Sequence, residues 1–295
     1  MWLGYFNFFS HGVDRVCYGV LLLKNVFMKV EEIFERLWSD YTKQNPHALK
    51  VWQLFTDDGE AVVNDHIAFR TFDDPRVDVD VLAKPFLESG YEFCGSYEFK
   101  DKRLFAKHFE HKTMKDVPRV FISQLISKDF SPFLQKAITS CIDAIPESHL
   151  NSDELIFSGN LWGKPSYEIY ERLRAESEYA AWVYVWGYCA NHFTVSVNNL
   201  HHFNSLEKVN DFLKQHGFAL NDSGGEIKGT PEELLEQSST KSGIVSIDFT
   251  EGSYEIPSAY YEFARRYADQ NGQLYSGFIA KSADKIFEST DFYKK

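Results

Sequence analysis

Three segments of the chain carry side chains that could meet at a metal ion. Asn64-Asp65-His66-Ile67-Ala68-Phe69-Arg70-Thr71-Phe72 sets a histidine and an arginine four residues apart. Asn191-His192-Phe193-Thr194-Val195-Ser196-Val197-Asn198 opens on a second histidine, and Ala259-Tyr260-Tyr261-Glu262-Phe263-Ala264-Arg265-Arg266 carries a carboxylate. Two imidazoles and one carboxylate on one face of an octahedral metal leave three positions open for a chelating substrate and O2, the ligand set of non-haem Fe(II) oxygenases. On that reading His66, His192 and Glu262 are the expected ligands. Each residue also has a plainer reading. A lone strand histidine is more often a hydrogen-bonded structural group, Glu262 taken singly could face solvent, and Arg70 could pair with Asp73 or Asp74.

Repetition favours the chemical reading. Each histidine segment is followed by a helical pattern that closes at a glycine: Val79 to Ser89 before Gly90, and Ser205 to His216 before Gly217. Two copies of strand, helix and glycine, each opened by a histidine, indicate an internal duplication. The remaining histidines lack that context. His108 and His111 fall on an expected hairpin edge and His201-His202 in a connection, so all four read as surface residues or supports, with His202 a competing ligand.

The elements that must position these residues follow from pattern. The first histidine segment is rich in β-branched and aromatic residues without internal Gly or Pro, and reads as a strand. Side chains alternate along it, so His66, Ala68 and Arg70 share a face, with the His66 and Arg70 Cα atoms about 13 Å apart. Long side chains from those points can converge on one small anion. In the second segment His192, Thr194, Ser196 and Asn198 share the polar face. Around these come helices at Val30 to Tyr41 and His47 to Phe55, a strand near Tyr91 to Phe93, and a hairpin pairing Tyr97–Phe99 with Leu104–Phe109. A strand follows at Arg119 to Leu125, a helix at Ser131 to Ala144, and one or two helices between Ser166 and Tyr188. The first half thus reads β-α-β-β-β. In the second, Thr230-Pro231-Glu232-Glu233 predicts a short helix with Pro in its first turn, and Gly243 to Phe249 a strand.

Composition bounds the partners. The 295 residues are 44% hydrophobic and 16% aromatic, enough for a sizeable core, and 31 basic against 43 acidic residues give a net charge of −12. That balance argues against a nucleic-acid binder, which draws affinity from clustered Lys and Arg. Cys17, Cys94, Cys141 and Cys189 lack CxxC spacing and read as reduced thiols of a cytoplasmic protein. Residues 1–27 are crowded with apolar residues without a period. The run Val20-Leu21-Leu22-Leu23 is too short to span a membrane, and translation is expected to start at Met28.

At these residues the chain resembles the 2-oxoadipate dioxygenase/decarboxylase family, whose architecture is that of the vicinal-oxygen-chelate, glyoxalase-like proteins. The resemblance rests on His66-Ile67-Ala68-Phe69-Arg70-Thr71-Phe72, on Ser177-Glu178-Tyr179-Ala180-Ala181-Trp182-Val183 running into Asn191-His192-Phe193-Thr194, and on the Glu262 strand. It implies an α+β fold of paired βαβββ modules, at about 60–126 and 190–267, forming a half-open barrel around a metal, with added helices, in one catalytic domain over 28–295. It also implies Fe(II) held by His66, His192 and Glu262, a 2-oxo acid and O2 as partners, Arg70 gripping a substrate carboxylate, and Thr194 and Ser196 adding neutral hydrogen bonds. The reaction implied is 2-oxoadipate to 2-hydroxyglutarate plus CO2, as in lysine catabolism. Competing expectations are a metal-dependent lyase or isomerase of glyoxalase type, and a non-catalytic binding protein of the same fold.

Overall fold

The computed structural model describes residues 28–286 and 288. The extension expected at 1–27 and Cys17 lie outside the described residues. Cys94, Cys141 and Cys189 are free thiols.

The strands are β1 (Asn64–Phe72), β2 (Tyr91–Phe99), β3 (Leu104–His111), β4 (Arg119–Leu125), β5 (Ala190–Ser196), β6 (Lys228–Thr230), β7 (Leu235–Ser239), β8 (Ile244–Phe249), β9 (Gly252–Pro257) and β10 (Tyr260–Arg266). Eight of them form one sheet in the order β2-β3-β4-β1-β5-β10-β7-β6, and β8 and β9 form a separate hairpin. The order is that of two βαβββ units joined at their first strands. In one unit β1 runs parallel to β4, and in the other β5 runs parallel to β10. The remaining pairings, including the central β1–β5 seam, are antiparallel. The α+β paired-module expectation therefore stands. The curled sheet has two free edges, β2 and β6, and the Ala280–Ile286 helix packs against both.

A parallel pair needs a crossover connection, and the two helices ending at glycine begin those connections. Asp78 caps the Val79–Glu88 helix by accepting from the amides of Asp80 and Val81, and Ser205 caps Leu206–Gln215 through the Lys208 amide. Gly90 and Gly217 follow their ends at φ +108° and +83°, where a side chain is strained. Strand alternation sends Ile67, Phe69, Phe193, Val195, Tyr261 and Phe263 to the outer face, where helices cover them. Phe86 packs on Phe69 at 5.7 Å, Trp38 and Tyr41 on Phe193 at 5.1 and 5.0 Å, and Phe55 on Phe263 at 5.7 Å. With the apolar face closed off, the concave face is left for polar groups.

One expected element fails, in the second unit. Thr230 to Glu233 is no helix. It leads into the turn between β6 and β7, with Leu234 at φ +66°. Pro suits the second position of a turn as well as the first turn of a helix, and pairing of Thr230 with Leu235 decides between them. The strand expected at 243–249 is present over Ile244–Phe249, outside the main sheet. It pairs with β9, and Tyr254 of that hairpin stacks on Tyr167 at 3.6 Å. Between Ser166 and Tyr188 there are two helices, Tyr167–Glu176 and Glu178–Trp186, broken by extended Ser177. Among the described residues no helix is long and apolar enough to cross a membrane.

The second of these helices enters β5 through Gly187, at φ +68°, where a Cβ would lie 2.0 Å from the Gly159 carbonyl oxygen. Gly187→Ala is expected to destabilise the fold by about 3 kcal/mol or more, measurable as a lowered denaturation midpoint.

Candidate metal centre

The register of the three central strands brings the proposed ligands together. His66 on β1 faces Thr194 on β5, Thr194 faces Glu262 on β10, and His192 lies one row along between Ala68 and Tyr260. His66 Nε2 is 3.5 Å from Glu262 Oε1, and His192 Nε2 is 3.2 Å from Glu262 Oε2. Ligand atoms of the three residues all lie within 4.8 Å of one another, and all three side chains are buried.

The supporting hydrogen bonds fix which nitrogens point inward. Asp65 Oδ1 lies 2.8 Å from His66 Nδ1, and Asn191 Oδ1 lies 3.0 Å from His192 Nδ1. A carboxylate or amide oxygen can only accept, so each Nδ1 carries the proton and each Nε2 presents a lone pair to Glu262. Adjacent strand residues ordinarily point to opposite faces. Here the register slips by one residue at Asp65 on β1 and again at Asn191 on β5. At such a bulge the backbone bends and re-aims the side chain, which lets each residue reach the ring that follows it.

Electrostatics agree with a cation site. Burial lowers the pKa of both histidines, that of His192 well below its ordinary value, so both rings stay neutral and fit to ligate. Burial pushes Glu262 up to about 8, against the Gln237 amide that holds Oε1 at 2.6 Å. Glu262 Oε2 has no hydrogen-bond partner. Burial also opposes ionisation of Asp65, but the Arg266 guanidinium and the His66 ring outweigh it and hold its carboxyl below the ordinary range. Two nitrogen lone pairs facing an under-satisfied buried carboxylate form an arrangement that a divalent cation completes. The residues present fit a metal.

Arg70 lies four residues from His66 on the same strand and is 2% exposed. Its guanidinium rests over the rings of Tyr179 and Trp182 at 5.1 and 5.2 Å, beside Tyr260. Asp74 is bound to Arg76, and Asp73 accepts from the Ser127 amide, so the plainer reading of Arg70 as their partner gains no support. Thr194 Oγ1 is 3.1 Å from His66 Nε2, at the metal group itself. Ser196 lies two residues on, with its hydroxyl donating to Asn199. Asn198 binds the backbone of Arg266.

Among the described residues the other histidines stay apart from the group. His202 is on the surface with Asp58 and does not compete as a ligand. His108 is neither on an edge nor on the surface. β3 lies between β2 and β4, and the ring is buried against Tyr97 and Glu110. Sequence reading missed Asp65, Asn191, Gln237 and Arg266. For the first two the signal was present, since a polar residue precedes the histidine in both copies.

A model of the 2-oxoadipate dioxygenase/decarboxylase family matches residues 29–156 and 153–273. The chain is 37% identical over 306 residues to the chloroplastic 2-oxoadipate dioxygenase/decarboxylase of Arabidopsis thaliana, covering 95% of this chain and 82% of that one. Among solved structures it is similar to the hydroxyglutarate synthase of Oryza sativa in complex with 2-oxoadipate. Identity there is 33%, the TM-score 0.83, and coverage 88% of this chain and 91% of that one. A protein of Shewanella frigidimarina NCIMB 400, provisionally described as a hydrolase, is 52% identical with a TM-score of 0.81, covering 85% of this chain and 98% of that one. The cytoplasmic expectation does not stand, because curated relatives are chloroplastic, or chloroplastic and amyloplastic.

His66→Ala and His192→Ala are each expected to abolish stoichiometric metal binding while circular dichroism keeps the native signature. Retained metal in either variant would remove that residue from the ligand set.

Proposed function

The chain belongs to the 2-oxoadipate dioxygenase/decarboxylase family, and from that premise we propose that it is an Fe(II)-dependent enzyme converting 2-oxoadipate and O2 to 2-hydroxyglutarate and CO2. The observation that carries this reading is the buried His66-His192-Glu262 group, with Glu262 Oε2 unpaired and a buried arginine on the strand of His66. Iron, when bound, supplies chelation of the keto acid and activation of O2.

The protein's own residues do the rest. His66 and His192 enter as neutral donors oriented by Asp65 and Asn191, and Glu262 supplies the one negative charge that offsets the ion. Arg70 grips a substrate carboxylate through paired, charge-assisted hydrogen bonds. Tyr179 and Trp182 hold its guanidinium flat, which reduces the entropy lost when substrate arrives. Tyr260 links the two regions, with its ring stacked on His192 at 4.6 Å and its buried hydroxyl beside Arg70. Burial raises the Tyr260 pKa, so the phenol keeps its proton and can donate to the same carboxylate. Thr194, next to His66 Nε2, adds a neutral hydrogen bond to an oxygen of the bound acid. Ser196, one step further along β5, can do the same only by turning its hydroxyl away from Asn199, to which it donates.

The test is anaerobic Fe(II) loading followed by O2 consumption and CO2 release across a panel of 2-oxo acids. One O2 consumed per CO2 released from 2-oxoadipate is expected. Turnover without O2 would favour a metal-dependent lyase or isomerase, and an empty site after reconstitution a binding protein. Arg70→Ala is expected to keep the metal and lose about 2–3 kcal/mol in kcat/KM, roughly 30- to 150-fold. Wild-type turnover in that variant would exclude Arg70 from the substrate site.

A further inference from the structure

The His66 ring is held from two directions by groups that are not ligands. On one side Asp65 takes the Nδ1 proton, and Arg266 clasps both oxygens of Asp65, Nε to Oδ2 at 2.7 Å and Nη2 to Oδ1 at 2.9 Å. On the other side Phe278, beyond the last strand, meets the ring edge to face, with centroids 4.8 Å apart and planes at 89°. The two supports share one anchor. Arg266 Nη1 donates to the carbonyls of Tyr275 and Gly277 at 3.0 and 2.7 Å, and its guanidinium lies 5.2 Å from the Phe278 ring. The far end of this strap is tied down separately, by the Phe278 amide donating to the Tyr97 hydroxyl at 3.1 Å.

We propose that Arg266 and Phe278 are positioning residues for the metal, and that seating of the Tyr275–Phe278 strap is coupled to metal affinity through the orientation of His66. An imidazole turns about its Cβ–Cγ bond unless packing stops it. Asp65 fixes the direction of Nδ1 only while Arg266 holds the carboxylate, and Phe278 fills the space into which the ring would swing. One rigid guanidinium serves both partners, Nε and Nη2 on Asp65 and Nη1 on the strap, so a shift of the strap that moves Arg266 is felt at Asp65. Coupling of this kind is reciprocal: whatever the seated strap adds to metal affinity, bound metal adds to the seating. The inference rests on the reading of His66 as a metal ligand.

The test uses the full chain, with Co(II) as the probe for affinity and for coordination through its visible spectrum, and trypsin cleavage at exposed Lys281 as the probe for the strap. In the wild type, Co(II) is expected to slow cleavage. Phe278→Ala is expected to weaken Co(II) binding about tenfold or more, alter the spectrum and speed cleavage. Tyr97→Phe removes the hydroxyl that holds the strap's far end, together with its bond to His108, keeps the ring, and is expected to shift all three readouts the same way by a smaller factor. It decides the matter if Phe278→Ala does not fold. Variants cleaved faster that keep wild-type affinity and spectrum overturn the coupling alone, as does wild-type cleavage indifferent to Co(II). A wild-type chain that binds no Co(II) overturns the metal-site reading and the coupling with it.

Discussion

Two nitrogen lone pairs and a carboxylate face one another, buried at the seam of the sheet, with no proton of the histidines between them. An ionised Glu262 finds no cation there, and burial raises the cost of ionising it. Proteins tolerate such an arrangement where a ligand resolves it, and here each unfavourable feature has the same remedy. Neutral rings, an ionisable carboxylate and an unsatisfied oxygen are what a divalent cation requires. The fold around them serves to keep these groups in place against their mutual preference to separate.

The device that does so is duplicated. In each half a one-residue slip in strand register turns a polar side chain toward the ring of the histidine that follows. The two copies have diverged in charge. Asn191 is neutral and sufficient for His192, whereas Asp65 is an anion and brings a buried arginine with it. A buried ion pair is weak support for stability, because desolvation of both charges offsets the attraction. Its presence on one side alone fits a role in orientation, and it is the side on which the chain continues past β10 to Phe278.

Much of this was legible in the sequence. The segments bearing His66 and His192 set apolar positions against polar ones, and helices ending at Gly90 and Gly217 mark the two copies. What stayed hidden depends on tertiary pairing. β6 and β7 are short and poor in apolar residues, so Gln237, which satisfies Glu262, had no pattern to reveal it. The Pro231 turn obeys local rules shared by helix and hairpin. The β8–β9 hairpin looks like any other strand pair until the sheet excludes it. Tyr179 and Trp182 were visible as part of an apolar helix, but their contact with Arg70 joins parts of the chain that no local period connects. His108 misled because its neighbourhood looked like a hairpin edge, while β2 in fact covers that side.

The central seam has one further consequence. Its proposed ligands come from the first strand of each unit and from β10, the last strand in chain order, so an ion seated there would tie together segments that are far apart along the chain. Neither unit alone can supply the three donors. Loading is therefore linked to unfolding, and by mass action each tenfold excess of free metal over the dissociation constant contributes about 1.4 kcal/mol to resistance against global opening. A chain of this design would gain robustness with the supply of its own cofactor, and would be most vulnerable to proteolysis when that supply ran short.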